Sequence, residues 1–229
     1  MLIISSFVIM ISQTEENYLK ALFALTSTKG EASVNELSKL LDIKMPTVNG
    51  MMKRLSEKDF VIYESYKPLK LTEKGKKEAS LIIRKHRLTE MYLVEKMGFG
   101  WEEVHDIAEQ IEHIKSPAFF EKMDEILGFP EVDPHGSPIP DANGKLKLKE
   151  FIKLSDCKSG DVVKFMAVRP SSEELLKFLN SRQLILGAVI TIKSVELFDK
   201  SMSVSYSGDG TEVLSSMVCE KLLVEHISK

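Results

Sequence analysis

Cysteine is scarce in this chain: 229 residues hold Cys157, Cys219 and no CxxC pair. Two unpatterned thiols give no disulfide framework, and a reducing, cytoplasmic setting is the default. Long apolar runs are missing too. The stretch MLIISSFVIMI at residues 1–11 falls short of the ~20 residues that span a bilayer. It also lacks the basic start and small-residue cleavage site of a secretory signal. Residues 1–11 read as an apolar leader that need not be native, with Met10 as an alternative start. No membrane partner is expected. HExxH, a nucleophile elbow and a glycine-rich phosphate loop are all absent. A metallohydrolase is therefore the most distant reading, and the chain is expected not to be an enzyme.

Charge of one sign is not in excess overall, since the net charge is −3, but it is unevenly placed. Residues 12–90 carry 15 Lys/Arg against 11 Asp/Glu, and residues 91–229 carry 16 against 23. A basic amino-terminal part ahead of an acidic remainder suits a polyanion-binding module joined to something else. Histidine is rare as well. Of five, His86, His105, His113 and His135 fall within one 50-residue stretch.

Ser12 with Glu15, and Ser33 with Glu36, have the spacing of capping boxes that open two helices. Pro46 suits the first position of a third helix, in which Val48, Met51, Met52 and Leu55 recur at core spacing. Its other face presents Thr47, Asn49, Gly50, Lys53 and Arg54. Two short β-rich runs around Lys67-Pro68 then read as a hairpin. Three helices and a hairpin predict a winged helix-turn-helix at residues 12–73. A helical segment follows at 74–147, with helices over 73–97, 101–114 and 117–127, and it ends in the Pro- and Gly-rich stretch 128–146. Leu88, Met91, Tyr92, Val94, Ile107 and Ile111 suit either dimer contacts or an internal core. From residue 148 onward short strands predict a small β-barrel. The fold class expected is mainly α with a small β domain.

His105, Glu109, Glu112 and His113 stand at offsets 0, 4, 7 and 8, one stripe about 100° wide at roughly 3.6 residues per turn. Imidazole and carboxylate together hold Zn²⁺, Fe²⁺ or Mn²⁺. His86 and Glu90 repeat the i, i+4 spacing one helix earlier. A solvated amphipathic face shows the same stripe, because Ile107, Ala108, Ile111 and Ile114 lie opposite it. The concentration of histidine in one stretch shifts the balance toward metal.

These features together resemble the diphtheria toxin repressor family of metal-dependent transcriptional regulators. Lys85-His86-Arg87-Leu88-x-Glu90, His105-x3-Glu109-x2-Glu112-His113, the stretch 128–140 with its PHG and PIP, and Met45-Pro46-Thr47-Val48 carry the resemblance, which covers residues 12–229. It implies a homodimeric repressor on a double-stranded DNA operator, with a helical dimerisation domain and an SH3-like barrel. It also implies two metal ions per subunit. One set would be Glu109, Glu112 and His113 with Asn17 from the first helix, a position where relatives carry Asp or Met. The other would be His86, Glu90 and His105, helped by Asp133, His135 and the barrel's Glu174. A carboxylate at position 109, where iron-type members have Cys, favours a hard ion, Mn²⁺ over Fe²⁺. Met45, Pro46, Thr47, Asn49 and Gly50 would lie at bases, and Lys53, Arg54 and Lys67 at phosphates. The competing readings are a metal buffer and a winged-helix protein adaptor.

Overall fold

The computed structural model describes residues 11–147, 149–206, 208 and 210–227. The leader expectation thus lies outside the described residues except for Ile11, a core residue. The chain forms two compact units. The first runs to His86 and includes Ile111–Lys115 and Pro140–Leu146; the second comprises Arg87–Gln110, Ser116–Ile139 and the chain from Lys147 onward.

In the first unit α1 (Gln13–Lys29), α2 (Val34–Leu41) and α3 (Met45–Glu57) precede a hairpin of β1 (Val61–Ile62) and β2 (Lys70–Leu71). Both capping boxes are formed: Ser12 and Ser33 accept the backbone N–H of Glu15 and Glu36, whose carboxylates accept in return. These contacts satisfy N–H groups that a helix start otherwise leaves orphaned. The turn into α3 is held by Asp42 in a left-handed conformation and by Ser38, whose hydroxyl donates to the Ile43 carbonyl at 2.6 Å. Leu19, Leu22, Leu37, Met52, Leu55 and Leu69 are fully buried in one core, each contributing ~1.5–3 kcal/mol by leaving water. Met51 packs at the edge of that core, while Leu40 is exposed. At Gly75, in the first turns of α4 (Glu73–Met97), a Cβ would sit 2.0 Å from the Phe60 carbonyl oxygen. Only glycine lets α4 start so close to the hairpin.

The second unit holds the remainder of α4, α5 (His105–Ile111), α6 (Pro117–Leu127) and a six-stranded antiparallel sheet. The strands are β3 (Ile152–Lys153), β4 (Val162–Val168), β5 (Val189–Val195), β6 (Met202–Ser205), β7 (Glu212–Leu214) and β8 (Leu222–His226). Their order is β3-β8-β4-β5-β6-β7, an SH3-like arrangement with α7 (Glu173–Ser181) and the short α8 (Ser216–Cys219) covering the core. Gly136, at φ +81°, brings the 133–137 loop against β4, where a Cβ would meet the Met166 carbonyl oxygen at 2.1 Å. The Val168 N–H donates to the His135 carbonyl there.

Three expectations change. The helix expected over 101–114 is only His105–Ile111, and Glu112 and His113 lie in the turn beyond it. The stripe is thus split between a helix and its exit. Leu88 is fully buried within its own chain and so is not a dimer contact. The strands β3 and β7, of two and three residues, are too short for a period of two to announce them in the sequence.

Candidate metal centre and nucleic-acid interface

The outer face of α3 is open. Met45, Pro46, Thr47, Gly50, Lys53 and Arg54 are exposed and Asn49 is half-buried. Asn49, Gly50, Lys53, Tyr63 and Ser65 line a shallow cleft of about 550 Å³ between α3 and the hairpin. The Tyr63 hydroxyl donates to Asn49 Oδ1 at 3.3 Å and orients that amide. Arg54 Nε lies 3.9 Å from a Glu15 carboxylate oxygen, and at the hairpin Lys67 pairs with Glu64 at 2.8 Å. Both cations are largely exposed, and such pairs are worth only ~0–1 kcal/mol. Pairs this weak leave both cations available to another anion. Gly50 has open space around it: a Cβ there would meet nothing within 4 Å. Mid-helix glycine costs roughly 0.5–1 kcal/mol against alanine, and packing within the chain gives no reason to bear it.

In the first unit two buried carboxylates anchor a polar cluster. Glu112, fully buried, sits with one oxygen 2.6 Å from His86 Nδ1, and both its oxygens accept from Lys20 Nζ at 2.8 and 3.0 Å. Burial pushes the Glu112 carboxyl up, but the hydrogen bonds from His86 and Lys20 outweigh it and hold the acid below its ordinary range. Glu16, 1% exposed, lies 2.5 Å from His113 Nδ1 and also bonds Lys115. His113 Nε2 stands 3.8 Å from Glu112. Beside Glu16 on α1, Asn17 Oδ1 is buried without a hydrogen-bond partner among the described residues. A buried acceptor left unpaired costs ~1–3 kcal/mol. A cation that accepts a neutral oxygen donor would relieve it. Two carboxylates, two imidazoles and an orphaned amide oxygen are the donors a hard or borderline divalent ion takes, so the residues present fit one.

In the second unit the centre is Glu90, buried on α4. His105 Nδ1 is 3.5 Å from one of its oxygens and His135 Nδ1 3.7 Å from the other. Glu90, Asp133 and His135 offer ligand atoms within 4.8 Å of one another. The loop that carries Asp133 and His135 is rigidly built. Asp133 Oδ1 accepts the N–H groups of His135 and Ser137, and Arg87 Nε lies 3.4 Å from Oδ2. His135 Nε2 donates to the Trp101 carbonyl at 2.8 Å, and the two rings stack. Burial, reinforced by the Glu90 charge, raises the Asp133 carboxyl. Burial lowers the His135 imidazole, but Glu90 and Asp133 outweigh it and the net direction is upward.

Other expected residues are placed less decisively. His86 lies one turn from Glu90 on α4, and Glu109 is half-buried on α5. Glu174 is exposed at the start of α7 and belongs to none of the ligand groups among the described residues. Sequence reasoning missed Glu16, Lys20 and Lys115. Glu16 reads as a first-turn acid that complements the helix dipole. Lys20 reads as a solvated cation one turn later, and only tertiary packing turns it onto Glu112.

An exposed recognition helix beside a hairpin wing, carried on the same chain as buried imidazole–carboxylate clusters, defines a winged helix-turn-helix protein with the donors of a divalent-cation centre. The chain belongs to the iron dependent repressor family. Residues 10–69 match the family's N-terminal DNA binding domain, and residues 72–141 match its metal binding and dimerisation domain. It is 34% identical to the iron-dependent repressor IdeR of Mycobacterium tuberculosis over 127 residues, 56% of this chain and 55% of that protein. The match thus spans about half the length of this curated relative. It is 30% identical to the transcriptional regulator MntR of Oceanobacillus iheyensis over 142 residues, 62% of this chain and 90% of that protein. Among solved structures, a manganese-dependent transcriptional repressor in complex with manganese matches with a TM-score of 0.85 at 28% identity. That match covers 93% of this chain and all of the other. The family is one of repressors, not enzymes. No helix among the described residues is long and apolar enough to cross a membrane.

Proposed function

We propose that this protein is a metal-activated, DNA-binding transcriptional repressor that controls metal homeostasis genes as a cytoplasmic homodimer. One observation carries the reading: α1, which shares a core with the recognition helix, sets Glu16 on His113, and its next residue, Asn17, holds a side-chain oxygen buried without a partner among the described residues. A cation gathered there ties α1, and with it α3, to the 111–115 segment. Two ions per subunit are proposed. Asn17, Glu112 and His113 hold the first, and Glu90, His105, Asp133 and His135 the second. The sequence resemblance adds Glu109 to the first set, and His86 and Glu174 to the second. The donors are carboxylate, amide and imidazole with no thiolate, which favours Mn²⁺ over Fe²⁺ on hardness. When bound, the ion supplies positive charge that replaces the lysines now facing these acids.

Thr47, Asn49 and Gly50 approach base edges, with Met45 and Pro46 at the helix entry, and Lys53, Arg54 and Lys67 hold phosphates. Allosteric coupling of ~1–3 kcal/mol, a 5–150-fold gain in DNA affinity, is the expected scale. Gel-shift titration of promoter DNA with and without Mn²⁺ tests the proposal. Mn²⁺ should strengthen binding, and His113→Ala should abolish the gain while His135→Ala only reduces it. Binding should fall steeply with salt, with a log–log slope of about −0.9 per phosphate contact. Equal affinity with and without metal would refute metal activation. Absence of any salt-dependent DNA binding would favour the adaptor instead.

A further inference from the structure

The sheet domain holds a third group of donors, which shares no residue with the two clusters above. Cys157, Asp161 and His226 bring a thiol, a carboxylate and an imidazole to ligand atoms within 4.8 Å of one another. Two of the three stand on a well-tied loop. Cys157 follows a 3-10 turn and donates its N–H to the Leu154 carbonyl, and its side chain is buried in the sheet core. Residues 158–161 form a tight turn in which the Asp161 N–H donates to the Lys158 carbonyl at 3.0 Å. In return the Lys158 N–H donates to Asp161 Oδ2 at 2.7 Å, which sets the carboxylate and leaves Oδ1 for another partner. His226 comes from β8, in register with Val163, two residues past Asp161. In β8 it shares the side of Leu222 and Val224, both fully buried, because side chains alternate along a strand. At the strand's end that inward side emerges into solvent, and His226 is exposed there. The thiol closes the inner end of the group and the imidazole its outer end.

We propose that the sheet domain binds a Zn²⁺-class cation through Cys157 Sγ, Asp161 Oδ1 and a His226 ring nitrogen, with the fourth position open to water. Cys, His and carboxylate are the donor types of zinc sites, and three protein ligands plus an open position is an established coordination. Thiolate selects against hard ions such as Mn²⁺. The chain would thus carry one soft-ligand site beside its hard-ligand clusters. Metal–ligand bonds of ~2.0–2.3 Å would set the three donor atoms ~3.3–3.8 Å apart, inside the 4.8 Å that bounds their separation, and the exposed His226 can make any movement needed. Burial, with Asp161 and Asp156 nearby, pushes the free Cys157 thiol up to about 11. The bound cation must therefore displace one proton from the thiol to solvent, and the same negative potential attracts it.

Co²⁺ is the probe, because a thiolate–Co²⁺ bond gives an intense near-ultraviolet charge-transfer band and the helical clusters contain no sulfur. The full-length protein titrated with Co²⁺ should show this band, and added Zn²⁺ should bleach it. It should persist in Cys219→Ser and in a Glu112→Gln/His113→Ala double variant, and vanish in Cys157→Ser. His226→Ala alters an exposed residue and should leave folding intact, yet weaken the band-forming affinity at least about tenfold. No band at saturating Co²⁺, a band that survives Cys157→Ser, or undiminished affinity in His226→Ala would overturn the proposal. None of these outcomes depends on DNA binding or on the helical clusters.

Discussion

Gly50 and Lys20 are single residues with opposite effects on the isolated chain: Gly50 costs it stability, and Lys20 supplies some by pairing with a buried acid. Gly50 has a helical position and open space around it. Gly50→Ala should raise stability by ~0.5–1 kcal/mol in urea denaturation, yet weaken DNA binding, because the added methyl occupies the surface offered to bases. If DNA affinity is unchanged, Gly50 is not at the interface. Lys20 spends its ammonium on both oxygens of the buried Glu112. Under the proposed function it is the counter-cation that an incoming metal would displace. Lys20→Met should make metal-free protein less stable, because it leaves a buried carboxylate without that partner. It should also tighten Mn²⁺ binding by roughly tenfold, ~1.4 kcal/mol, in calorimetry. Unchanged affinity would mean that Glu112 is not a ligand.

The 133–137 loop acts as one element. Arg87, Trp101 and Gly136 fix it so that His135 faces Glu90. In chelator-treated protein the His135 imidazole holds its proton above its ordinary 6.5, since Glu90 and Asp133 outweigh burial. The folded chain therefore binds this proton more tightly than the unfolded chain. The stabilisation is complete below pH 6.5 and is lost as pH rises through the raised value. Asp133, also raised, gives a decline of the same sign beginning near its ordinary 3.8. Urea denaturation at about pH 6 and about pH 9 should show a loss of stability that His135→Gln largely removes. An equal loss in the variant would assign the decline to other groups.

At the scale of the whole molecule, α6 presents two apolar faces. Phe120 and Met123 are buried, while Phe119 and Ile126, seven residues apart on the other side, are 42% and 48% exposed. Apolar groups on an outward helix face suit a partner surface, and the family's metal binding and dimerisation model includes this helix. A Phe119→Ser/Ile126→Ser variant should sediment as monomer at concentrations where the parent is dimeric, with its monomer fold intact by circular dichroism. It should also bind a two-half-site operator poorly, because two recognition helices about 34 Å apart need two subunits. A variant that remains dimeric would move the interface elsewhere.

Much of this was legible in the one-dimensional chain, because the signals are local. Ser12/Glu15 and Ser33/Glu36 act over three residues, Pro46 marks a helix start through its own ring, and the apolar spacing of Val48, Met52 and Leu55 needs only the helical period. The helical spacing of His86 with Glu90, and of His105 with Glu109, was visible for the same reason. Tertiary structure alone decided the rest. It set which side chains face each acid: His86 and Lys20 on Glu112, His113 and Lys115 on Glu16, His105 and His135 on Glu90. It also ended α5 at Ile111 and gathered Cys157, Asp161 and His226 from positions up to 69 residues apart along the chain. Such contacts depend on loop closure and strand register, which no short window of residues encodes. The types of side chain could therefore be read in advance, and their partners could not.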